Sequence, residues 1–174
     1  VENDLARQTS LYLAFTGSAH SIVGVDNTGL FPTGSGNMVG VNHGSLRLSQ
    51  LGNHGGPTRT HKLLPGSIAI DAGDDTLAVH PAGSPLLVDQ RGYNRTINTV
   101  DVGAVEQELL GDFDGSGLVT GADFLLWQTT VGSTTDLRAD GDGSGLVDSG
   151  DLDIYNDHFG NVPDGTPLSA EYGI

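Results

Sequence analysis

Cysteine is absent from the chain, which excludes a disulfide framework and any zinc-thiolate site and leaves redox compartment unread. Aromatic residues are scarce at 6%, whereas glycine reaches 27 of 174 residues, so packing must come from aliphatic side chains held between many turns. Cationic side chains are few: seven Lys and Arg stand against 22 Asp and Glu, for a formal net charge of -15. Such a surface repels nucleic acid phosphates and anionic lipid, and its natural counter-partner is a cation. No apolar run approaches a membrane span, so membrane insertion is not expected. No signal peptide opens the chain, and Val1 reads as the start of a processed product or a C-terminal piece, with any export signal out of view.

The acidity is concentrated late. Residues 1–111 carry ten acids and six Lys or Arg, and residues 112–174 carry twelve acids and Arg138 alone. Residues 1 to about 50 alternate short apolar runs with turn formers: LYLAF at 11–15, SIVGV at 21–25, NMVGV at 37–41 and SLRLSQL at 45–51. Their spacing predicts short strands in a sandwich, a barrel or a β-solenoid coil. From 51 to 74 turn chemistry dominates, with Gly55-Gly56-Pro57 and Pro65-Gly66 as tight turns and IAID as a strand or bend.

The acidic third contains nearly the same dodecamer twice, DFDGSGLVTGAD at 112–123 and DGDGSGLVDSGD at 140–151. Both fit the calcium-loop template, in which positions 1, 3, 5, 9 and 12 offer side-chain oxygens, 7 offers a carbonyl and 6 is Gly. The first copy supplies Asp112, Asp114, Ser116, the Leu118 carbonyl, Thr120 and Asp123, with Gly117 at the turn. The second supplies Asp140, Asp142, Ser144, the Leu146 carbonyl, Asp148 and Asp151, with Gly145 at the turn. Calcium takes six to eight hard oxygen ligands, so two Ca2+ ions are expected as cofactors. Four carboxylates in the second loop against three in the first predict tighter binding at the second.

Position 8 is apolar in both copies, Val119 and Val147, as in paired loops that pack together. FLLWQTTVG follows the first loop and LDIYNDHFG the second, each about two helical turns closed by Gly. Phe124, Trp127 and Val131 share one helical face, as do Leu152, Tyr155 and Phe159. Carboxylates about 4 Å apart repel by roughly 1 kcal/mol per pair even at water-like dielectric. A cation at 100 times its Kd returns about 2.7 kcal/mol to the folded state, so folding and binding are expected to be coupled.

The order NHGGPT, THKLLPGSIAIDAGD, DQRG, VDVGAVE within about 37–107 resembles the C-terminal closing segment of bacterial right-handed parallel β-helix surface proteins of planctomycete type. That resemblance implies terminal coils and cap of a solenoid over 1–107, with any catalytic coils of a polysaccharide lyase or hydrolase upstream. Residues 111–160 resemble a type I dockerin: paired loop-helix units, Asp at position 12, and no helix entering the first loop. The dockerin resemblance implies the calcium ligands named above and a cohesin-like partner, met at positions 10 and 11 of each loop, here Gly121, Ala122, Ser149 and Gly150. The basic pair that dockerin helices commonly offer is replaced by Gln128-Thr129 and Asn156-Asp157, which leaves a cell-surface tether as a competing role.

Other chemistry is thinly marked. The six histidines show no metal spacing, and His54, His61 and Asp71 lack a serine nucleophile motif. Asp71, Asp89, Asp101 and Glu106 are the candidate acids for glycoside cleavage, although Asp89 beside Arg91 reads as an ion pair. Tyr93 is the aromatic candidate for a sugar platform. The chain is thus expected to be mixed and mainly β: a β-helix cap (1–107), a linker (108–111), an EF-hand-like calcium module (112–160) and a tail (161–174). The expected role is docking or anchoring of an extracellular or cell-surface monomer, with no catalytic site in this segment. The alternatives are a lyase or hydrolase fragment and a calcium-stabilised chain end without a partner.

Overall fold

The computed structural model describes residues 19–24, 35–95 and 98–161. The strand expected at 11–15, Val25 of the second apolar run, and the tail from 162 onward lie outside these residues. Strand β1 (Ile22–Val23) pairs in parallel with β2 (Met38–Val39), Ile22 opposite Met38 and Val23 opposite Val39. A 3-10 turn follows at His43–Leu46, and two ten-residue helices come late, α1 (Gly121–Thr130) and α2 (Ser149–His158).

This overturns the mainly β architecture. Among the described residues the ladder is one pair of two-residue strands, and further pairing consists of isolated bridges such as Leu48 with Leu63 and Gly52 with Thr60. The chain is a small mixed α/β fold rather than the terminal coils and cap of a parallel β-helix. The reason is local. Gly36 and Gly40, at φ of 71° and 79°, sit in the left-handed region on either side of β2, and His20 and Arg47 adopt it at 48° and 42°. A left-handed residue every few positions turns the chain before a second pair of ladder bonds can form. Residues 68–71 form a turn, with Ile70 N–H donating to the Ser67 carbonyl at 3.3 Å.

The main apolar core lies in the acidic third. Phe113, Val119, Leu137, Ala139, Val147 and Tyr155 are buried together, with Leu109, Phe124, Leu126, Trp127 and Leu152 packed around them. Each large side chain so buried contributes about 1.5–3 kcal/mol. Phe124 and Trp127 meet this core as their helical spacing predicts, whereas Val131 and Phe159 are exposed. Both are C-cap residues with extended ψ of 132° and 128°, yet the Phe159 ring still meets Tyr155 at 5.5 Å between centroids and so keeps its place on the predicted face from an exposed position.

The described residues before 108 rely on polar networks more than on apolar burial. Asp89 receives the Arg91 guanidinium at 2.6 Å with both side chains almost fully buried, and Glu108 binds both Arg91 and Lys62, the latter at 2.9 Å. The upstream part also packs directly on the acidic third. Leu137 N–H donates to the Asn53 carbonyl at 2.8 Å, and His54 Nδ1 lies 3.1 Å from the Leu137 carbonyl. The Lys62 ammonium reaches the Arg138 and Asp140 carbonyls at 3.5 Å each.

Candidate metal centre

Each dodecamer winds into a loop that delivers its last carboxylate to the start of a helix. Thr120 caps α1 by accepting the Ala122 N–H at 3.2 Å, and Asp148 caps α2 by accepting the Gly150 N–H at 2.7 Å. Asp123 and Asp151 complete the capping boxes by accepting the Thr120 and Asp148 N–H groups, both at 2.8 Å. The helix N-terminus also favours a carboxylate there through its exposed N–H dipoles.

The other oxygen of each terminal aspartate reaches back across its loop. Asp123 Oδ1 accepts from Phe113 and Asp114 N–H at 2.8 and 3.1 Å, and Asp151 Oδ1 accepts from Gly141 and Asp142 at 2.8 and 3.3 Å. Asp112 accepts from Ser116 and Gly117 N–H at 3.0 and 2.7 Å. Asp140 Oδ2 accepts from Gly145 N–H at 3.0 Å, but its Oδ1 is buried with no hydrogen-bond partner.

As a result Asp112, Asp114 and Asp123 bring one oxygen each within 4.8 Å of one another, as do Asp140, Asp142 and Asp151. Each cluster can hold a metal ion. In each, the first and last aspartates are buried and the middle one is exposed, which leaves an open side toward solvent. Burial raises all four buried carboxyls: Asp112 is pushed up to about 7 by desolvation and by the neighbouring Asp123 charge, and Asp140 to about 6 by desolvation and by Asp151. Asp123 and Asp151 rise for the same leading reason, desolvation, against opposing backbone hydrogen bonds. Carboxylates held this way favour any species that brings positive charge, a proton or a cation.

The remaining expected ligands occupy the loop differently. Ser116 and Ser144 hydroxyls donate to the Leu118 and Leu146 carbonyls at 3.2 and 3.1 Å. Thr120 and Asp148 are the helix caps, so three carboxylates converge in each loop and the fourth of the second loop, Asp148, serves α2. Val119 and Val147 are fully buried, and each pairs with the chain that leaves the opposite helix. Val119 exchanges backbone bonds with Gly160 and Asn161 after α2, and Val147 with Gly132 and Ser133 after α1. This crossed pairing was invisible in the sequence, where Gly132 and Gly160 read only as helix stops. Gly121, Ala122 and Ser149 are exposed at the first helical turns, and Gly150 is half-buried.

The other expected constellations form no open site among the described residues. His54 Nε2 lies 3.2 Å from Ser49 Oγ, but its Nδ1 faces the Leu137 carbonyl, and Ser49 is buried. His61 Nδ1 meets the Ser49 carbonyl at 2.7 Å, and Asp71 is tied through its N–H to Asp101 at 2.7 Å. Asp101 and Glu106 do come together, Asp101 N–H donating to Glu106 at 3.1 Å, yet both are buried and committed to backbone amides. Tyr93 is no open platform, since Arg91 lies over its ring at 4.7 Å and Gly115 of the first loop meets it. No protein-family model matches the chain, and neither curated proteins nor solved structures gave a significant match.

Proposed function

We propose that this chain is a calcium-binding docking or anchoring module of the type I dockerin kind, in which one Ca2+ per loop orders the surface that a partner reads. The observation that carries the reading is Asp140 Oδ1, a buried oxygen with no hydrogen-bond partner on one of three aspartates whose oxygens gather within 4.8 Å. An orphaned, fully desolvated carboxylate oxygen is costly unless a cation reaches it. The donor set supports calcium in particular. Carboxylate, hydroxyl and carbonyl oxygens on alternate residues of a twelve-residue loop suit a large hard cation, and no nitrogen or sulfur donor accompanies them. Asp112, Asp114 and Asp123 would hold one ion and Asp140, Asp142 and Asp151 the other, with Ser116, Ser144 and the Leu118 and Leu146 carbonyls beside them.

The bound ion supplies charge neutralisation and loop closure. The chain does the rest: α1 and α2 present Gly121, Ala122, Ser149 and Gly150, small residues that leave a partner room to approach. A cohesin-like domain or a cell-surface component is the proposed partner, in an extracellular setting where calcium is abundant. A second reading, a calcium-stabilised structural unit without an external partner, is favoured by the upstream side chains that lie on both loops. The test is a calcium titration of the chelator-treated full chain, following Trp127 fluorescence and binding heat. Trp127 donates its indole N–H to the Asp148 carbonyl at 2.8 Å and so reports on the second loop. Two-site binding with a Trp127 shift supports the proposal; no response at millimolar calcium sinks it. Capture by a cohesin domain then separates docking from the purely structural reading.

A further inference from the structure

The two loops share a contact that the sequence does not announce. Position 4 of each is a left-handed glycine, Gly115 at φ 72° and Gly143 at φ 74°, and an upstream side chain lies on each. A methyl group added at Gly115 would fall 2.4 Å from the Tyr93 ring, and one added at Gly143 would fall 2.5 Å from Leu64. The second loop is covered further by Gln50, whose carboxamide lies 2.8 Å from the equivalent point at Gly145 and donates to the Ser144 carbonyl at 3.3 Å.

We infer that residues 49–64 and 89–95 form an intramolecular lid whose docking is thermodynamically linked to cation occupancy of both loops. The inference rests on the calcium reading of those loops. The lid touches atoms that exist as a surface only when the loops are wound: left-handed glycine backbone and the Ser144 carbonyl. Winding draws three like charges within 4.8 Å in each loop, and a divalent cation relieves that repulsion. A bound ion therefore holds the surface on which Tyr93, Leu64 and Gln50 rest. By reciprocity the docked lid must raise cation affinity by the same factor. The sign follows from the contacts: bare glycine positions admit these side chains, and an unwound loop offers them nothing.

The experiment is amide hydrogen exchange on the full chain with calcium or with chelator, together with calcium titrations of Tyr93→Ala, Leu64→Ala and Gln50→Ala. Calcium is expected to slow exchange in 49–64 and 89–95 as well as in the loops, by about tenfold or more. Tyr93→Ala and Leu64→Ala are expected to weaken calcium binding about five- to tenfold, within the ordinary range of coupling between sites. Gln50→Ala removes one exposed contact, cannot threaten folding, and should weaken binding about twofold. Leu125→Ala, exposed on α1 and making none of these contacts, should bind as wild type. Calcium binding that protects the loops alone, with unchanged affinity in the three lid variants, overturns the linkage and leaves the calcium reading standing. Absence of calcium binding by the wild-type chain overturns both.

Discussion

Asp140→Asn isolates the charge of one carboxylate while keeping its shape. The wild-type side chain is fully buried, accepts from Gly145 N–H through Oδ2, leaves Oδ1 buried and unpartnered, and brings an oxygen within 4.8 Å of Asp142 and Asp151. Two like-charge pairs no more than 4.8 Å apart cost about 0.9 kcal/mol each at water-like dielectric, and more in a partly dry loop. Desolvation and the Asp151 charge together raise this carboxyl to about 6 from an ordinary 3.8, which implies a cost of about 3 kcal/mol for holding it ionised at neutral pH. The amide removes that cost, and its N–H group can donate toward the remaining carboxylates. In chelator the variant should therefore be more stable than wild type by about 2–3 kcal/mol, a rise in melting temperature of roughly 5–10 °C for a chain of this size. In millimolar calcium the wild type recovers about 2.7 kcal/mol if that loop is near 100-fold above its Kd, and the advantage of the variant should nearly vanish. Urea unfolding followed at Trp127, in chelator and in calcium, measures both. A variant less stable than wild type in chelator would show that hydrogen bonding, not charge, governs the loop; an undiminished calcium increment would show that Asp140 meets no cation.

Three further outcomes follow from burial. Phe113→Ala empties the centre of the main core, where the ring is 2% exposed, and should cost about 3–5 kcal/mol in urea unfolding with little change in slope. Arg91→Met leaves the buried Asp89 carboxylate without its counter-ion and should cost about 3–5 kcal/mol, whereas the double change with Asp89→Asn should recover part of that in a double-mutant cycle. Glu106 is raised from 4.5 to about 7 by burial, so the folded state holds its proton more tightly than the unfolded chain. Its contribution is present in full below about pH 4.5 and lost as pH rises through 7. Glu106→Gln should remove that decline and stabilise the chain at pH 8 by up to about 3 kcal/mol relative to wild type, with little gain at pH 4.

The filling order of the two loops is also open to direct measurement. Ligand count in the sequence ranks the second loop above the first, but Asp148 caps α2 and three carboxylates converge in each. The Lys62 ammonium also reaches the Asp140 carbonyl at 3.5 Å and sets a positive charge beside the second loop. The first loop should therefore fill no later than the second in a calcium titration resolved by site. Tighter binding at the second loop would restore Asp148 to its ligand set.

The local features that sequence legibly specified are those set by neighbours within a dozen residues. Asp at positions 1, 3 and 12, glycine at the sharp turns, and a polar cap before an apolar run determine the loops and the helices behind them. Such groups meet through backbone geometry alone, which is why two acidic clusters were readable from spacing. The β-helix expectation failed because short apolar runs do not state their own length as strands. Among the described residues, left-handed positions such as Gly36, His20 and Arg47 limit the ladder to a single short pair, and nothing in the local sequence marks Arg47 for that conformation. Tertiary structure alone decided what meets the loops from afar. Val119 pairs with the chain after α2, Lys62 turns its ammonium to the Asp140 carbonyl, and Tyr93 becomes a cover for Gly115 instead of an open platform. These contacts join segments tens of residues apart, where pairing depends on shape and on which polar groups remain to be satisfied. No local pattern encodes that choice.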